Sequence, residues 1–453
     1  MRCRLFGFLL LLAACAPLDA AHAFCGLFVA TGDAKLFNHR SQVAMVRDGD
    51  RTVLTMASDY QGDPREFALV VPVPVVLKRG QIHVGDSSLV ASLDAYSAPR
   101  LVEYYDPDPC PAPMAEMGSH FRGGRGQGVS MLMAGSLDAA VPAVRIEARY
   151  EVDEYDVLIL SADDSGALLA WLRAHGYRVP MQAANVIQSY LKQGMKFFVA
   201  KVDLRRRDAQ LRAQHASAST QLRPLQIAYD SPRFMLPVRL GMANADGPQE
   251  LFVYAVTRQG RVEPVNYRSV KLPEAVEVPE FVKGDFTNVW RTAFDQLVEK
   301  NGMGVVYTEY AWDMTWCDPC PSPPLTREQQ KALGVWWLDE PNPSVFVTRL
   351  HARYDRASFP EDLVLQVTAD RANFQSRVVV RHEWTGEAKC EAANAYRQTL
   401  PARREQQAMA LASLTGWSVE RIRGRMGVST AWLAPGESLT PYRPAAWWEK
   451  LWK

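Results

Sequence analysis

The chain of 453 residues lacks an excess of charge of either sign. It has 51 Lys and Arg against 50 Asp and Glu, a formal net charge of +1 at pH 7. Proteins that bind nucleic acid through its phosphates carry a marked basic charge, so no nucleic-acid partner is expected. The composition, with 48% hydrophobic and 22% charged residues, is that of a globular protein and excludes a disordered chain.

The chain also has few cysteines and lacks the short motifs of familiar enzymes. Seven cysteines in this length exclude a small cysteine-rich scaffold. The sequence contains no Gly-x-Ser-x-Gly elbow, no His-Glu-x-x-His zinc helix and no EF-hand loop. We therefore predict no cofactor, and the sequence favours a non-catalytic protein over an enzyme.

What is present at the start is the three-part layout of a secretory signal peptide. Arg2 and Arg4 precede an apolar run over 5–14, and a more polar stretch ends in Ala21-His22-Ala23. The apolar run reaches about half of the ~20 residues that a membrane-spanning helix needs. We predict that residues 1–23 are a cleaved signal peptide and that the mature protein is periplasmic or secreted.

Two other features bear on membrane attachment. Leu12-Ala13-Ala14-Cys15 resembles a bacterial lipobox, so a lipoprotein anchored through Cys15 is the alternative to cleavage after residue 23. The C-terminal Trp447, Trp448 and Trp452 are expected to pack on the protein body, with weak contact at a membrane interface as the alternative. No transmembrane span is predicted, because the most apolar later segment, 67–77, is broken by prolines.

Alternating apolar and polar residues predict many short strands. Asp48-Gly49-Asp50 indicates a hairpin, and Arg258-Gln259-Gly260-Arg261 is expected to form a second one between strands 252–257 and 262–267. Val71-Pro72-Val73-Pro74-Val75 lacks two backbone donors. It must be an edge strand, a bulge or a polyproline-like stretch rather than a central strand.

Helical spacing of apolar residues predicts several helices, and together with the strands it indicates an α+β fold. The predicted helices cover 88–96, 161–175, a segment after Pro180, 286–300, a segment capped by Thr326, 408–416 and 419–427. We expect mixed and antiparallel sheets with several short helices, supported by disulfides. The expected lobes are 24–275 and 276–453, the second carrying the Cys-x-x-Cys motif, with one continuous domain over 24–453 as the alternative.

The five cysteines of the mature chain are Cys25, Cys110, Cys317, Cys320 and Cys390. Export places them where disulfides persist, so structural disulfides are the favoured interpretation. Cys110 and Cys320 share an Asp-Pro-Cys-Pro setting that would suit two joined loops, but the sequence does not fix the pairing.

Two chemical alternatives remain for these cysteines. Trp316-Cys317-Asp318-Pro319-Cys320 matches the thioredoxin active-site pattern, which makes Cys317 and Cys320 a candidate redox pair. The prolines that follow would interrupt the helix on which that chemistry depends. A structural zinc site could be drawn from Cys317, Cys320 and Cys390 with His351 or His382, but a second closely spaced ligand pair is missing.

Several segments resemble one bacterial family along most of the chain. They include Phe24-Cys25-Gly26, Val70-Val71-Pro72-Val73-Pro74, Leu236-Pro237-Val238-Arg239-Leu240-Gly241 and Trp316-Cys317-Asp318-Pro319-Cys320. With these the chain is similar to the exported proteins grouped as domain of unknown function 2330. The resemblance implies an envelope or secreted location and no established activity, so it assigns no catalytic residue.

These observations together predict an exported envelope protein with a non-catalytic binding or structural role. Its ligand or partner is not identified by the sequence, although exposed proline-rich strand edges could accept a partner strand. A thiol-disulfide oxidoreductase that uses Cys317 and Cys320 is the first alternative, and a structural zinc module is the second.

Overall fold

The computed structural model describes residues 27–30, 41–58, 67–110, 144–180, 182–203, 205–206, 209, 222–245, 247–316 and 322–427. Three predicted features lie outside these residues. They are the signal peptide with Cys15, the cysteines Cys25, Cys317 and Cys320, and the tryptophan-rich C-terminus.

The described residues form many strands, most of them short. In chain order they are β1 (Leu27–Ala30), β2 (Ser41–Asp48), β3 (Arg51–Ser58), β4 (Phe67–Val73), β5 (Ile82–Val84), β6 (Arg100–Tyr105), β7 (Val144–Val152), β8 (Tyr155–Ala162), β9 (Lys196–Val202), β10 (Leu225–Asp230), β11 (Met235–Leu236), β12 (Gln249–Thr257), β13 (Val262–Pro264), β14 (Arg268–Lys271), β15 (Val276–Val278), β16 (Val305–Asp313), β17 (Phe346–Tyr354), β18 (Leu363–Val367), β19 (Phe374–Gln375) and β20 (Arg377–His382).

Helices separate groups of these strands. The α-helices are α1 (Ser87–Ser97), α2 (Ser165–Ala174), α3 (Ala183–Lys192), α4 (Phe286–Asn301), α5 (Arg327–Leu333), α6 (Glu391–Thr415) and α7 (Val419–Arg425), and 3-10 helices cover Arg79–Gln81, Gly241–Asn244 and Glu280–Asp285. Among the described helices, none combines the length and the apolar character that crossing a membrane requires.

The predicted α+β fold with mixed and antiparallel sheets is confirmed, and the chain forms two compact units. Within the described ranges, the first unit takes its residues from 1–100, 118–274 and 298–377, and the second from 101–117, 275–297 and 378–453. Residues 298–377 belong to the first unit because β16 and β17 pair within its largest sheet.

The first unit is built around a nine-stranded sheet of order β14-β16-β17-β12-β2-β3-β10-β5, with β19 paired to β16. The predicted hairpin at Asp48-Gly49-Asp50 is confirmed: β2 and β3 pair antiparallel, and Gly49 takes the positive φ of 56° that the turn needs. A five-stranded sheet of order β1-β4-β9-β8-β7 contributes to the same core. That core is formed by apolar residues from both sheets, among them Val43, Leu54, Val253, Val71, Ile159 and Phe198.

Helices cover the outer faces of these sheets. The apolar side chains of α1 pack with the other face of the nine-stranded sheet, together with the fully buried Trp337. Helices α2 and α3 pack with the five-stranded sheet through a set that includes Leu168, Leu172, Ile187 and Tyr190. Both sheets are therefore buried on two sides, which explains why β9 and β12 are apolar almost throughout.

The proline-containing strand β4 lies between β1 and β9 in the five-stranded sheet. It pairs with β9 along 68–73, but β1 covers it only along 67–70. Among the described residues Pro72 therefore has a paired strand on the β9 side only. The prediction that this run is not a fully paired central strand agrees with this register.

The second predicted hairpin is wrong. Strand β12 pairs with β17 and β2 in the nine-stranded sheet, whereas β13 pairs with β18 in a three-stranded sheet of order β11-β18-β13. Segment 258–261 therefore connects two sheets. A turn-like sequence between two strands specifies a change of direction, but the partners of each strand are chosen by side-chain packing.

The second unit has a small sheet of order β15-β20-β6 and a helical core. Apolar residues of α4, α6 and α7 pack with the sheet, among them Val289, Leu411 and Ile422. The sequence predicted a helix over 408–416, but α6 begins at Glu391 and contains Pro401. An interior proline costs about 3 kcal/mol in an isolated helix, so the pattern there indicated a break; burial of Leu400, Ala408 and Leu411 offsets that cost.

Candidate functional site

The cysteines of the described chain are joined in the second unit. Cys110 and Cys390 form a disulfide with Cα atoms 6.1 Å apart. The bond suggested by the shared setting of Cys110 and Cys320 is therefore not formed. A disulfide sulfur is not a thiolate, so Cys390 is also unavailable as a zinc ligand. The redox pair Cys317 and Cys320 lies outside the described residues and stays a prediction.

The two histidines considered as metal ligands pair with carboxylates instead. His382 Nε2 lies 2.7 Å from Glu103 Oε2, and its ring stacks on Tyr105 at 4.4 Å between centroids. His351 Nδ1 lies 2.8 Å from Glu309 Oε1. Within the described ranges, no group of three or more His, Cys, Asp or Glu side chains is arranged to hold a metal ion.

His351 belongs to a buried charge network on the face of the nine-stranded sheet that α1 covers. Strand β17 places Arg349, His351 and Arg353 on this face, while Leu350 and Ala352 point into the sandwich core. This alternation is readable in the sequence once the segment is taken as a strand with two buried faces. It was missed because a histidine with polar neighbours was interpreted alone.

Glu309 joins this network through an irregularity in its strand. The pairing of β16 with β17 shifts register between Thr308 and Tyr310, so Glu309 is the extra residue of a β-bulge. Its carboxylate pairs with Arg349 and His351, and it is 1% exposed. No sequence pattern marks the bulge, so this residue could not have been predicted from the sequence.

The charges of the network determine one another's protonation. Burial raises the pKa of Glu309, but the positive charges of Arg349 and His351 lower it more, to about 2. Burial lowers the pKa of His351, but Glu309 and Glu250 raise it above its ordinary value. Arg349 also binds Asp94 of α1 at 2.7 Å. Because every charge here is neutralised by a neighbour, the network is best explained as part of the interior of the fold.

A different region of the first unit forms an open cleft. It has a volume of about 240 Å³ and lies where the end of β4 meets strands β3 and β10 at the edge of the sandwich core. Its lining consists mainly of prolines, methionines and aliphatic side chains: Pro72, Pro74, Pro232, Pro237, Met195, Met235, Leu54, Val73 and Ile227. We call this opening the proline cleft.

Tyr229 places a phenol in the wall of the proline cleft. Its side chain is 6% exposed, and its hydroxyl makes no hydrogen bond with the described residues. Burial raises its pKa to about 12 despite the opposing charge of Arg47, so the hydroxyl is neutral at physiological pH. The hydroxyl can therefore donate a hydrogen bond to an acceptor in the cleft.

One cation lies on the rim of the proline cleft. Arg233 is exposed and donates from Nη1 to Gln193 Oε1 at 3.0 Å. It is the charged member of the lining formed by described residues, and that part of the lining contains no carboxylate. The cleft therefore combines an apolar wall, a hydrogen-bonding phenol and a positive rim. Pro72, Pro74 and Pro237 fall within motifs that carried the family resemblance, but the sequence did not reveal that they share one opening with Tyr229.

Comparison with known proteins agrees with that resemblance. No curated protein and no solved structure matches the chain. A bacterial family described as an uncharacterized protein conserved in bacteria matches residues 19–366, which is well over half of the chain. The protein whose proline cleft and charge network are described above therefore belongs to the family of domain of unknown function 2330.

Proposed function

We propose that the protein is an exported, non-catalytic binding protein of the bacterial cell envelope and that it binds a small ligand in the proline cleft. The observation that carries this proposal is the hydroxyl of Tyr229, which lies in the wall of the cleft without a hydrogen bond to the described residues. A phenol in an otherwise apolar wall can fix the orientation of a ligand through one hydrogen bond.

Export is supported by the disulfide and by the start of the chain. Disulfides persist in the periplasm and outside the cell, and the bond between Cys110 and Cys390 fits that environment. The signal-peptide layout of residues 1–23 predicts the same location. A lipid anchor at Cys15 stays the alternative form of attachment.

The lining indicates the chemistry of the ligand. Proline rings give the cleft stiff apolar walls, while Met195 and Met235 adapt to the shape of a bound group. The phenol of Tyr229 can donate to an acceptor, and Arg233 favours a negative charge at the rim. A volume of about 240 Å³ is below the range for drug-sized ligands, so we expect a small ring or short chain that carries a carboxylate or similar acceptor.

The proposal is tested by titrating the mature protein with 4-(trifluoromethyl)benzoate and following its fluorine NMR signal. We expect saturable binding that weakens by about two- to tenfold in Tyr229→Phe, since one neutral hydrogen bond contributes about 0.5–1.5 kcal/mol. Arg233→Gln should weaken binding further and reduce its dependence on salt. Arg79→Gln removes an exposed arginine of the same unit that does not line the cleft and serves as the control.

Two results would contradict the proposal. One is equal affinity of wild type, Tyr229→Phe and Arg233→Gln for the probe, because the cleft would then not be its site. The other is turnover of any substrate that a single point substitution abolishes, because the protein would then be an enzyme.

A further inference from the structure

A second cavity of the first unit, independent of the proline cleft, has the chemistry of an anion site. Its volume is about 360 Å³, and it lies between the start of α3 and the segment after β17. No carboxylate is among the described residues that line it, which are Gln182, Asn185, Val186, Arg239, Met242, Ala243, Arg356, Phe359 and Pro360. We call it the arginine cavity.

The guanidinium of Arg239 is held rigidly at the wall of this cavity. Its Nε and Nη2 donate to Asp362 Oδ2 at 3.2 and 3.0 Å, and Nη2 also donates to Ser189 Oγ at 2.8 Å. Asp362 is 4% exposed and accepts further hydrogen bonds from Tyr190 and from the backbone of Val238. The ion pair with Asp362 and the ring of Tyr190 therefore fix the guanidinium of Arg239 at the wall of the cavity.

Arg356 adds a charge that no described carboxylate neutralises. It is exposed, and its Nη2 donates to the backbone oxygen of Met242 at 3.0 Å. Asp362 balances the charge of Arg239. The arginine cavity therefore has an unbalanced positive charge from Arg356, and the amides of Gln182 and Asn185 add neutral donors beside it.

The rest of the lining is apolar. Val186 and Pro360 give an accessible apolar surface beside the arginines, and the volume of about 360 Å³ exceeds what a single carboxylate or phosphate fills. A ligand that satisfies both parts has an oxyanion at the guanidinium groups and an apolar body against Val186 and Pro360. Arginine forks match planar carboxylates and phosphates better than isolated halide ions.

We infer that the arginine cavity binds a small organic oxyanion, a carboxylate or a phosphate ester, through Arg356, with the guanidinium of Arg239 in the wall beside it. The position of Arg239 is set by Asp362, so the site is preorganised on that side. Arg356 makes one hydrogen bond to the described residues, so its other donors can turn to the oxyanion. This inference does not depend on the proposed function of the proline cleft.

The test is titration of the mature protein with phenyl phosphate, followed by phosphorus NMR, and in a parallel arm with 4-(trifluoromethyl)benzoate, followed by fluorine NMR. Saturable binding of either probe that weakens about tenfold or more in Arg356→Gln is the expected result, since hydrogen bonds to charged groups are about twice as strong as neutral ones. The arm with the tighter binding identifies the ligand as a phosphate ester or a carboxylate.

Matched variants separate this site from the proline cleft. Arg356→Lys keeps the charge but loses the fork, so it should retain only part of the affinity. Arg233→Gln and Tyr229→Phe alter the other opening and should leave binding in the arginine cavity unchanged. The neutral 4-(trifluoromethyl)benzyl alcohol should not compete.

Four results would overturn the inference. They are the absence of binding of both probes at millimolar concentration, equal affinity of wild type and Arg356→Gln, and competition by the neutral alcohol against phenyl phosphate. The fourth is a loss of phenyl phosphate binding in Arg233→Gln without a loss in Arg356→Gln, because the phosphate ester would then bind in the proline cleft. Failure here leaves the proposed function intact, because the two openings respond to different substitutions.

Discussion

At the scale of single residues, the most costly groups of the first unit are charges that water does not reach. Glu309 and Arg349 are 1% and 3% exposed, and they neutralise each other on the face covered by α1. A buried pair of this kind adds little net stability compared with an apolar pair, but removal of one partner leaves the other without compensation. The network therefore restricts which substitutions the sheet tolerates.

The substitution Glu309→Gln should lower the free energy of unfolding by about 3 kcal/mol at neutral pH, because Arg349 would retain only Asp94 as a partner. Urea denaturation followed by circular dichroism measures this change. The control is Glu340→Gln, which removes the exposed partner of Arg258 and should change stability little. Equal effects of the two substitutions would show that the network contributes nothing beyond a surface ion pair.

The pH dependence of the Glu309→Gln effect has a definite sign. The pKa of Glu309 is lowered from 4.5 to about 2, so its contribution is complete above about 4.5 and is lost as the pH falls through about 2. The pKa of His351 is raised, so its charge stabilises the fold below about 6.5 and this contribution is lost as the pH rises through its folded value. The difference in the free energy of unfolding between wild type and Glu309→Gln should be largest between about pH 4.5 and about pH 6.5.

At the scale of elements, register and chain reversal depend on a few local features. Glu309 reaches the network only because the β-bulge between Thr308 and Tyr310 turns it to the covered face. Helix α5 ends at Gly334 after a capping box formed by Thr326 and Gln329. Gly334 has a φ of 105°, and a Cβ atom there would lie 2.6 Å from Val53 Cγ1.

The substitution Gly334→Ala should therefore cost about 2 kcal/mol or more, from the left-handed backbone and from contact with Val53. Gly302→Ala is the control, because Gly302 also has a positive φ but no atom within 4 Å of its Cβ position. Gly302→Ala should lower the free energy of unfolding by about 1 kcal/mol. Thermal unfolding of the two variants measures the difference, and adding Val53→Ala to Gly334→Ala should restore part of the loss. If Gly334→Ala lowers stability no more than the control does, the contact with Val53 contributes nothing to the loss.

At the scale of the whole molecule, the disulfide is the long-range covalent constraint of the described chain. It joins cysteines separated by 280 residues, and both belong to the second unit. Bonds that close long loops reduce the entropy of the unfolded chain most. The second unit draws its residues from three separate segments, so this bond holds its first and last segments together in the unfolded protein.

The double substitution Cys110→Ser with Cys390→Ser should lower stability by as much as about 5 kcal/mol and lower the Tm in scanning calorimetry. Dithiothreitol should lower the Tm of the wild type to that of the double variant. A further loss when the double variant itself is reduced would reveal a bond among Cys25, Cys317 and Cys320. An unchanged Tm in the double variant would contradict a stabilising role for the bond.

The fold class and several local elements of this protein could be predicted from the sequence alone. The hairpin at Asp48-Gly49-Asp50, the helix that Thr326 caps and the α+β class follow from backbone preferences and apolar periodicity, which act over a few residues. The family follows from segments spread along the chain.

Only the tertiary structure decided which distant residues meet. The pairing of β12 with β17 and β2, the choice of Cys390 as the partner of Cys110, and the proximity of Tyr229 to Pro72 join segments far apart in the sequence. No local preference encodes such contacts, because they are selected by the packing of whole sheet faces. For the same reason, the proline cleft and the arginine cavity were not visible in the sequence.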